Sequence, residues 1–322
     1  MPARIFAYVW NNHMAVMDRI DVKHQITAIC PTILHNKALT PDMIKELILS
    51  NEVTLICWQS IGFIGDLLSD PDLAESKMIV IGSDPSIWSR STVDMSIVSR
   101  CYEYMSKGGD ENFTRMFDYI SASVLGGKEE VKPPVDVPWQ SIVGYMNGDL
   151  FDDPLGYIES YGLDRTKPFV GIMASRAHYT MDGLSREKRM CEIAIEYGMN
   201  PILVYTMYRP EPGQPVLTPS ECVRRFMWSD GKPLVSAIAK LSIAHFGSED
   251  DSGSVLKDTD VPLFAPVLMS RMSVKEWEEC SGLTSDVTWK IMLPELEGGI
   301  EPIPIGSEMD FLPRMDKKRV LI

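Results

Sequence analysis

The sequence predicts an α/β protein of two domains, each carrying a mostly parallel sheet in a flavodoxin/Rossmann-like arrangement. Three observations carry that prediction. At 322 residues the chain is too long for one ordinary hydrophobic core, and two α/β domains account for it. Short apolar runs alternate with amphipathic helical runs in both halves, the pattern of parallel strands joined by helical crossovers. Between the halves stands "KEEVKPPVDVPWQ", residues 128–140, whose three prolines and mixed charge read as an extended linker. The domains are accordingly placed at 1–127 and 167–322, with a Pro-rich linker and crossing segment at 128–166.

"RIFAYVW" opens the first half as a short strand. "TAICPTIL" and "VTLICWQSI" supply two more, with "TPDMIKELILSNE" as the helix between them. Thr40 is placed to cap that helix, and Pro41 occupies its first position, where a missing N–H costs nothing. "KMIVIGSD" is a fourth strand that runs into a Gly-Ser-Asp turn. Two helical runs follow in "DMSIVSRCYEYMSKGGDENFTRMFDYISASVLGG", parted at Gly108-Gly109. Asp110 is a good cap for the second, and Gly126-Gly127 ends it.

Past the linker a short helix is expected around Pro154 to Tyr161. "PFVGIMASR" is then a strand ending in a small-residue loop, and "LSREKRMCEIAIEYG" an amphipathic helix closed by Gly198. "NPILVYTM" is a strand, followed by the helix "TPSECVRRFMW" with Thr218 as cap and Pro219 at its first position. "KPLVSAIAKLSIAHF" is compatible with strand or helix. "VPLFAPVLM" reads as a strand, "SVKEWEEC" as a helix capped by Ser273, and "VTWKIMLPEL" as the final strand.

Composition excludes several classes of function. A formal charge of −14 disfavours nucleic acid, whose phosphates are bound by clustered Lys and Arg; "RMDKKR" is too short to change that. No run of about 18 uncharged apolar residues is present, so no membrane span is expected. The opening "MPARIFAYVW" lacks the features of an export signal, which points to a cytoplasmic protein. Cysteines 30, 57, 101, 191, 222 and 280 are isolated, without a C-x-x-C pair for zinc or redox exchange, and are expected to be buried thiols. The twenty methionines are expected to fill irregular core gaps. No phosphate loop, dinucleotide-binding glycine pattern, G-x-S-x-G or H-E-x-x-H occurs.

Ligands of such sheets sit beyond the carboxyl ends of the strands. "ASRAHYTMDG", residues 174–183, puts Arg176 and His178 just past one strand. An imidazole there can accept a proton or ligate a divalent metal near neutrality. "LPELEGGIEPIPIG", residues 293–306, places Glu295 at the end of the last strand and Glu301 beyond it. If both strands share one parallel sheet, His178 and Glu295 emerge on the same edge and can act together on a metal or a proton. His13, after the first strand, is a lesser candidate of the same kind; His24, His35 and His245 have no partner pattern and read as structural.

Four stretches resemble the large subunits of the class I metal chelatases, the cobaltochelatase CobN and magnesium chelatase H type. They are "YMSKGGDENFTRMFDYISASVLG", "PPVDVPWQSIVGYM", "PFVGIMASRAHYTMDGLSREKRMCEIAIEYGMNPILVY" and the long run from "VPLFAPVLM" to "PELEGGIEPIPIG". They occur in the family's order, and the last is the most specific. The resemblance covers nearly the whole chain but only the N-terminal portion of the family. Ala177 stands where a serine is usual, Glu297 replaces an aspartate, and "KLSIAHFGSEDDSGSV" matches a glycine-rich passage poorly.

The resemblance implies binding of a tetrapyrrole and insertion of Co²⁺ or Mg²⁺, the ion being a substrate. ATP would be used by a partner AAA+ ATPase subunit with its adaptor, not by this chain, and the remaining large-subunit domains would be needed for turnover. It implies His178 and Glu295 as catalytic, transiently metal-handling residues, with Arg176, Tyr179 and Glu301 contacting substrate. Glu295, among Leu293, Pro294 and Leu296, is expected in a dry setting that favours it as a base. A non-catalytic tetrapyrrole carrier or regulatory protein of the same fold is the alternative. A flavodoxin-like small-molecule enzyme is a third class, for which the nucleotide or flavin loop is missing.

Overall fold

The computed structural model describes residues 2–36, 39–57, 62–207, 215–241, 260–269, 273–280, 291–296 and 298–307. The chain divides into two compact units at Val137/Pro138.

The first unit holds β1 (Arg4–Tyr8), α1 (Met14–Arg19), β2 (Gln25–Ile29), α2 (Pro31–Asn36), α3 (Pro41–Ser50), β3 (Val53–Cys57), α4 (Gly62–Leu67), β4 (Met78–Ile81), α5 (Met95–Lys107) and α6 (Asp110–Leu125). Its sheet is all parallel, in the order β2-β1-β3-β4. Helices cover both faces of such a sheet, so its strands read as continuous apolar runs; every residue of β3 is buried. Thr40 caps α3 as expected, its Oγ accepting the Met43 N–H at 3.3 Å. The cap of α6 is Gly109, not Asp110. Gly108 and Gly109 both hold φ values, 67° and 85°, that side chains resist, so the chain breaks one residue earlier than expected. Asp110 still serves the helix start and receives Arg19 Nε at 2.7 Å.

The Pro-rich stretch is not a free linker. Asn112, buried on α6, accepts the Val135 N–H at 2.7 Å and donates to the Val135 carbonyl at 2.9 Å. The Tyr104 hydroxyl and the Arg115 guanidinium donate to the carbonyls of Lys132 and Pro133. Residues up to Val137 are thus strapped to the first unit, whereas the end of the expected linker, Pro138 to Gln140, and the crossing segment after it belong to the second.

That second unit contains β5 (Ser141–Val143), β6 (Leu150–Phe151), α7 (Pro154–Ser160), β7 (Phe169–Ser175), α8 (Arg176–Asp182), α9 (Ser185–Glu196), β8 (Asn200–Thr206) and α10 (Pro219–Phe226). It continues with β9 (Trp228–Ser229), β10 (Lys232–Pro233), β11 (Val235–Lys240), β12 (Leu263–Phe264), β13 (Val267–Met269), α11 (Val274–Glu278), α12 (Leu293–Leu296), β14 (Gly299–Ile300) and β15 (Pro304–Ser307). Seven strands form one sheet in the order β14-β12-β11-β7-β8-β5-β6; β14 through β8 are parallel, and β5 and β6 run antiparallel at one edge. The axis is the β7–β8 pair, in register from Phe169↔Asn200 to Ser175↔Thr206. Alternate residues feed two cores: Met173, Val204 and Phe226 on one face, Ile172, Ala174, Leu203 and Tyr205 on the other. Gly171 in β7 leaves room for the Met227 side chain, whose Sδ would lie 2.5 Å from a Cβ there.

Three local expectations are revised. The small-residue loop after β7 is helix α8. "VPLFAPVLM" breaks into β12 and β13 around Ala265 and Pro266, since proline has no amide donor for a ladder. Of "VTWKIMLPEL", residues 287–290 lie outside the described set and Leu293–Leu296 is a turn of helix, which tolerates Pro294 in its first turn where a strand interior does not. The ambiguous "KPLVSAIAKLSIAHF" supplies β10 and β11, while its end, including His245, lies outside the described residues.

His13, beyond β1, is packed rather than displayed. Its ring stacks on Trp10 at 5.0 Å and meets the edge of Phe113 at 5.0 Å, with Nδ1 buried and unbonded. Burial lowers its pKa to about 4. Above pH ~6.5 both folded and unfolded chains hold a neutral ring. Below that, the unfolded chain takes a proton that the folded site refuses, so stability falls with pH. The expected loss from this residue between pH 7 and 5 is roughly 2 kcal/mol. Thermal midpoints across that range should flatten in His13→Phe; an unchanged slope would rule this residue out as the source.

Candidate functional site

Strand β7 delivers the chain at Ser175, whose Oγ accepts the Ala177 N–H at 3.2 Å and starts α8. Helix α8 ends at Gly183, φ 66°, and the next residue, Leu184, also adopts a left-handed conformation with φ 62° and ψ 39°. Asp182 holds this corner. Its Oδ1 accepts the Leu184 N–H at 3.0 Å, and its Oδ2 accepts Arg186 Nη2 at 3.0 Å. The reversal starts α9 so that Glu187 faces back onto α8.

His178 and Glu187 therefore meet. Nδ1 and Oε1 lie 2.7 Å apart, with His178 only 9% exposed and Glu187 fully buried. Burial pushes the Glu187 carboxyl up, but the His178 hydrogen bond and charge, helped by Arg186, outweigh it and hold the group below the ordinary carboxylate range. The second oxygen, Oε2, is buried and has no hydrogen-bond partner.

Beside this pair lies an aromatic cluster built by strand direction. β5 is antiparallel to β8, with Ser141 opposite Tyr205, so Pro138 and Trp139 arrive at the carboxyl edge of β8. Arg176, the first residue of α8, is 6% exposed and lays its guanidinium 4.4 Å from the centroid of the Trp139 ring. Its Nε donates to the Pro138 carbonyl at 3.0 Å, and the Tyr205 hydroxyl donates to the same oxygen at 3.1 Å. Tyr179 stacks on Tyr205 at 4.3 Å, with 7° between the rings. Burial lowers the Arg176 pKa to about 10, against the opposing effect of Tyr205 and Tyr179, so the side chain is a desolvated cation at neutral pH. Burial likewise raises both phenols.

The opposite face of the same edge carries Lys240, at the end of β11 and 5% exposed, and the buried Thr206 hydroxyl at the end of β8. Cys222 of α10 lies beside Thr206, its thiol pushed up to about 11 by burial.

The expected pairing of His178 with Glu295 is not what the structure brings together. Glu295 lies on α12, which leads into the amino end of β14, whereas His178 follows the carboxyl end of β7. β12 and β11 stand between those strands, a separation of roughly 14 Å across the sheet that a glutamate side chain does not bridge. Glu295 is also exposed, so the dry setting expected for it is missing. Glu301 follows β14 in a left-handed conformation, φ 54°, and is exposed, again apart from the cluster. Glu297 lies outside the described residues. Arg176 and Tyr179 do join one cluster with Trp139 and Tyr205, while His178, two residues on from Arg176, pairs with the carboxylate of Glu187.

Glu187 escapes sequence reading because it stands nine residues beyond His178, across a corner that no periodicity announces. Trp139 and Tyr205 were hidden in a linker and a strand end, and Lys240 in an apolar run of ambiguous type. Among the described residues no group of three His, Cys, Asp or Glu side chains is placed to hold a metal. An open groove of about 440 Å³ near Met146, Asp149, Phe151 and Tyr161 lies at the β5–β6 hairpin, toward the amino end of β8 and away from this cluster.

These features define a doubly wound α/β unit with a cationic, aromatic and imidazole-bearing carboxyl edge. The chain belongs to the CobN/Magnesium Chelatase family, whose sequence pattern matches residues 102–320. An uncharacterized protein of Methanocaldococcus jannaschii, MJ1441, is 29% identical over 253 residues, covering 74% of this chain and 19% of that protein. A second from that organism, MJ0908, is 25% identical over 236 residues, covering 70% and 19%. The catalytic subunit of cobaltochelatase from Mycobacterium tuberculosis shares the fold with a TM-score of 0.62 at 16% identity, over 95% of this chain and 25% of that one. The chain thus spans about a fifth of the length of the curated relatives it matches. No helix among the described residues is long and apolar enough to cross a membrane.

Replacing Arg176 with Lys keeps the charge but loses the planar stack on Trp139 and the Nε bond to Pro138. The expected cost is about 1–3 kcal/mol. It should appear as a lower urea midpoint at unchanged slope; a wild-type midpoint would show that the stack carries no stability.

Proposed function

We propose that this chain forms a tetrapyrrole-binding part of a chelatase large subunit and takes part in ATP-dependent insertion of Co²⁺ or Mg²⁺. The supporting observation is that the Arg176–Tyr179–Tyr205 cluster and the His178–Glu187 pair both lie beyond the carboxyl ends of β7 and β8 in a chain of this family. A tetrapyrrole is a broad aromatic or conjugated ring bearing acidic or amide side chains. Tyr179, half-buried and backed by Tyr205, offers it apolar ring surface, and the Arg176 guanidinium is the group proposed to meet a carboxylate.

Insertion removes two pyrrole N–H protons and strips water from a strongly hydrated cation. His178 is the group proposed to accept a proton or meet the substrate ion, because an imidazole changes charge near neutral pH. ATP is assigned to separate AAA+ and adaptor subunits, since no phosphate loop is present in the sequence. The exposure of Glu295 and its separation from His178 favour a second reading, a tetrapyrrole carrier or regulatory protein without insertion activity.

Absorbance titration with a free-base porphyrin and with a cobalt-free corrinoid precursor tests the binding step. A saturable Soret or corrin band shift is expected for one of them, weakened at least five-fold in Arg176→Ala. Glu295→Gln should bind as wild type. No shift with either ligand would remove the tetrapyrrole reading. Metal uptake by the bound ligand, after addition of the ATPase subunits and the remaining large-subunit domains, separates the chelatase from the carrier. Within that assembly His178→Ala should abolish uptake while binding persists.

A further inference from the structure

Leu184 is fully buried and held in the left-handed region, which costs a residue with a Cβ on the order of 1–2 kcal/mol. Such strain persists only where surrounding contacts over-determine it, and it clusters at functional sites. Here the contacts are those of Asp182, which accepts from the Leu184 N–H, from Ser185 Oγ at 3.3 Å and from Arg186 Nη2. The corner sets the direction of α9, and with it a carboxylate against the His178 ring.

We propose that Glu187 is the positioning residue of this site: its carboxylate accepts a hydrogen bond from Nδ1–H of His178 and fixes the tautomer that leaves the ring lone pair on Nε2. The use of that lone pair for a proton or a substrate cation rests on the chelatase reading above; the tautomer does not.

Three observations support the assignment. The contact is short, 2.7 Å, as expected where a charged acceptor is involved. Glu187 has no exposed surface, so its carboxylate depends on this neighbour for most of its compensation. The positive charge of Arg186 acts on Glu187 in the same sense and favours the ionised acid. A carboxylate on one ring nitrogen fixes the ring orientation and makes the other nitrogen a better base and ligand. Glu187 touches no reacting atom in this scheme; it acts through His178.

The test is nitrogen-15 NMR of the five histidines in the full chain at one mildly alkaline pH, with His178→Gln used to assign the resonance. Wild type should show the Nδ1–H tautomer with a strongly deshielded proton. In Glu187→Gln, of nearly the same shape, that proton should move upfield. In Glu187→Ala the population should shift toward Nε2–H, and Co²⁺ affinity measured by titration should fall about ten-fold or more. A wild-type ring already in the Nε2–H form would overturn the proposal. So would a proton shift unmoved in Glu187→Gln, a reading that stands even if the Ala variant fails to fold. Wild-type protein that takes up no Co²⁺ would overturn the use of Nε2 for a cation, while the spectrum still decides the tautomer.

Discussion

A fully buried carboxylate is the constraint around which the candidate site is organised. Leaving a buried carboxylate without its hydrogen-bond partner is strongly destabilising, by roughly 3–5 kcal/mol, so Glu187 commits the chain to keeping His178 in place. That commitment reaches outward along the backbone. His178 must sit on α8, which fixes where β7 ends. Glu187 must sit in the first turn of α9, which requires the reversal at Gly183 and Leu184 and the acid that pins it, Asp182. The pair thus reads as a polar clamp between two short helices, set against a core of Ala174, Leu184, Cys191 and Tyr205.

A second polar element shares the same edge and obeys a different rule. Arg176 is a cation with little solvent; its Nε donates to a backbone carbonyl, and the guanidinium lies on an indole face. Such contacts compensate part of the lost hydration. They differ from the His178–Glu187 pair, where a buried carboxylate is matched by the imidazole Nδ1 2.7 Å away. One half of the edge pairs an imidazole with a carboxylate, and the other sets a guanidinium among aromatic rings. An anionic substituent on a flat ligand is the chemistry that the second half fits.

Much of this architecture was legible in the residues. Alternating apolar runs and helix caps such as Thr40 and Thr218 gave the strand and helix order, because burial on both faces of a parallel sheet and unsatisfied helix-end amides are both local in sequence. The position of His178 and Arg176 after β7 followed from the same logic. What was not legible depended on strand order and backbone conformation. In sequence Glu295 follows an apolar run and reads as a strand end, yet Leu293–Leu296 is helical, with Pro294 in its first turn, and β14 lies at the far edge of the sheet. The true acid partner is specified by a left-handed leucine, which no propensity scale selects. Trp139 looked like linker, since its role arises only when β5 pairs with Tyr205 from a strand sixty residues later.

The inventory of the edge bears on how the proposed insertion divides its labour. Two pyrrole protons leave when a divalent ion enters a free-base tetrapyrrole, and one imidazole oriented by one buried acid has capacity for one of them at a time. The acid itself, already paired and held as a carboxylate, is a poor second acceptor. Neither Glu295 nor Glu301 lies within reach of His178. A complete reaction centre built on this edge therefore requires at least one further base or a path to solvent. It also requires groups to replace the cation's water, because no triad of ligating side chains exists among the described residues. The relatives, about five times the matched length, have ample chain to supply both. Under the proposed function, the edge would orient the macrocycle and take the first proton, and further groups would replace the ion's water. That division also explains why a pair so thoroughly buried is useful: a base that meets its substrate before the ion arrives has to be oriented in advance, and the Glu187 contact does that at no cost to the reaction step.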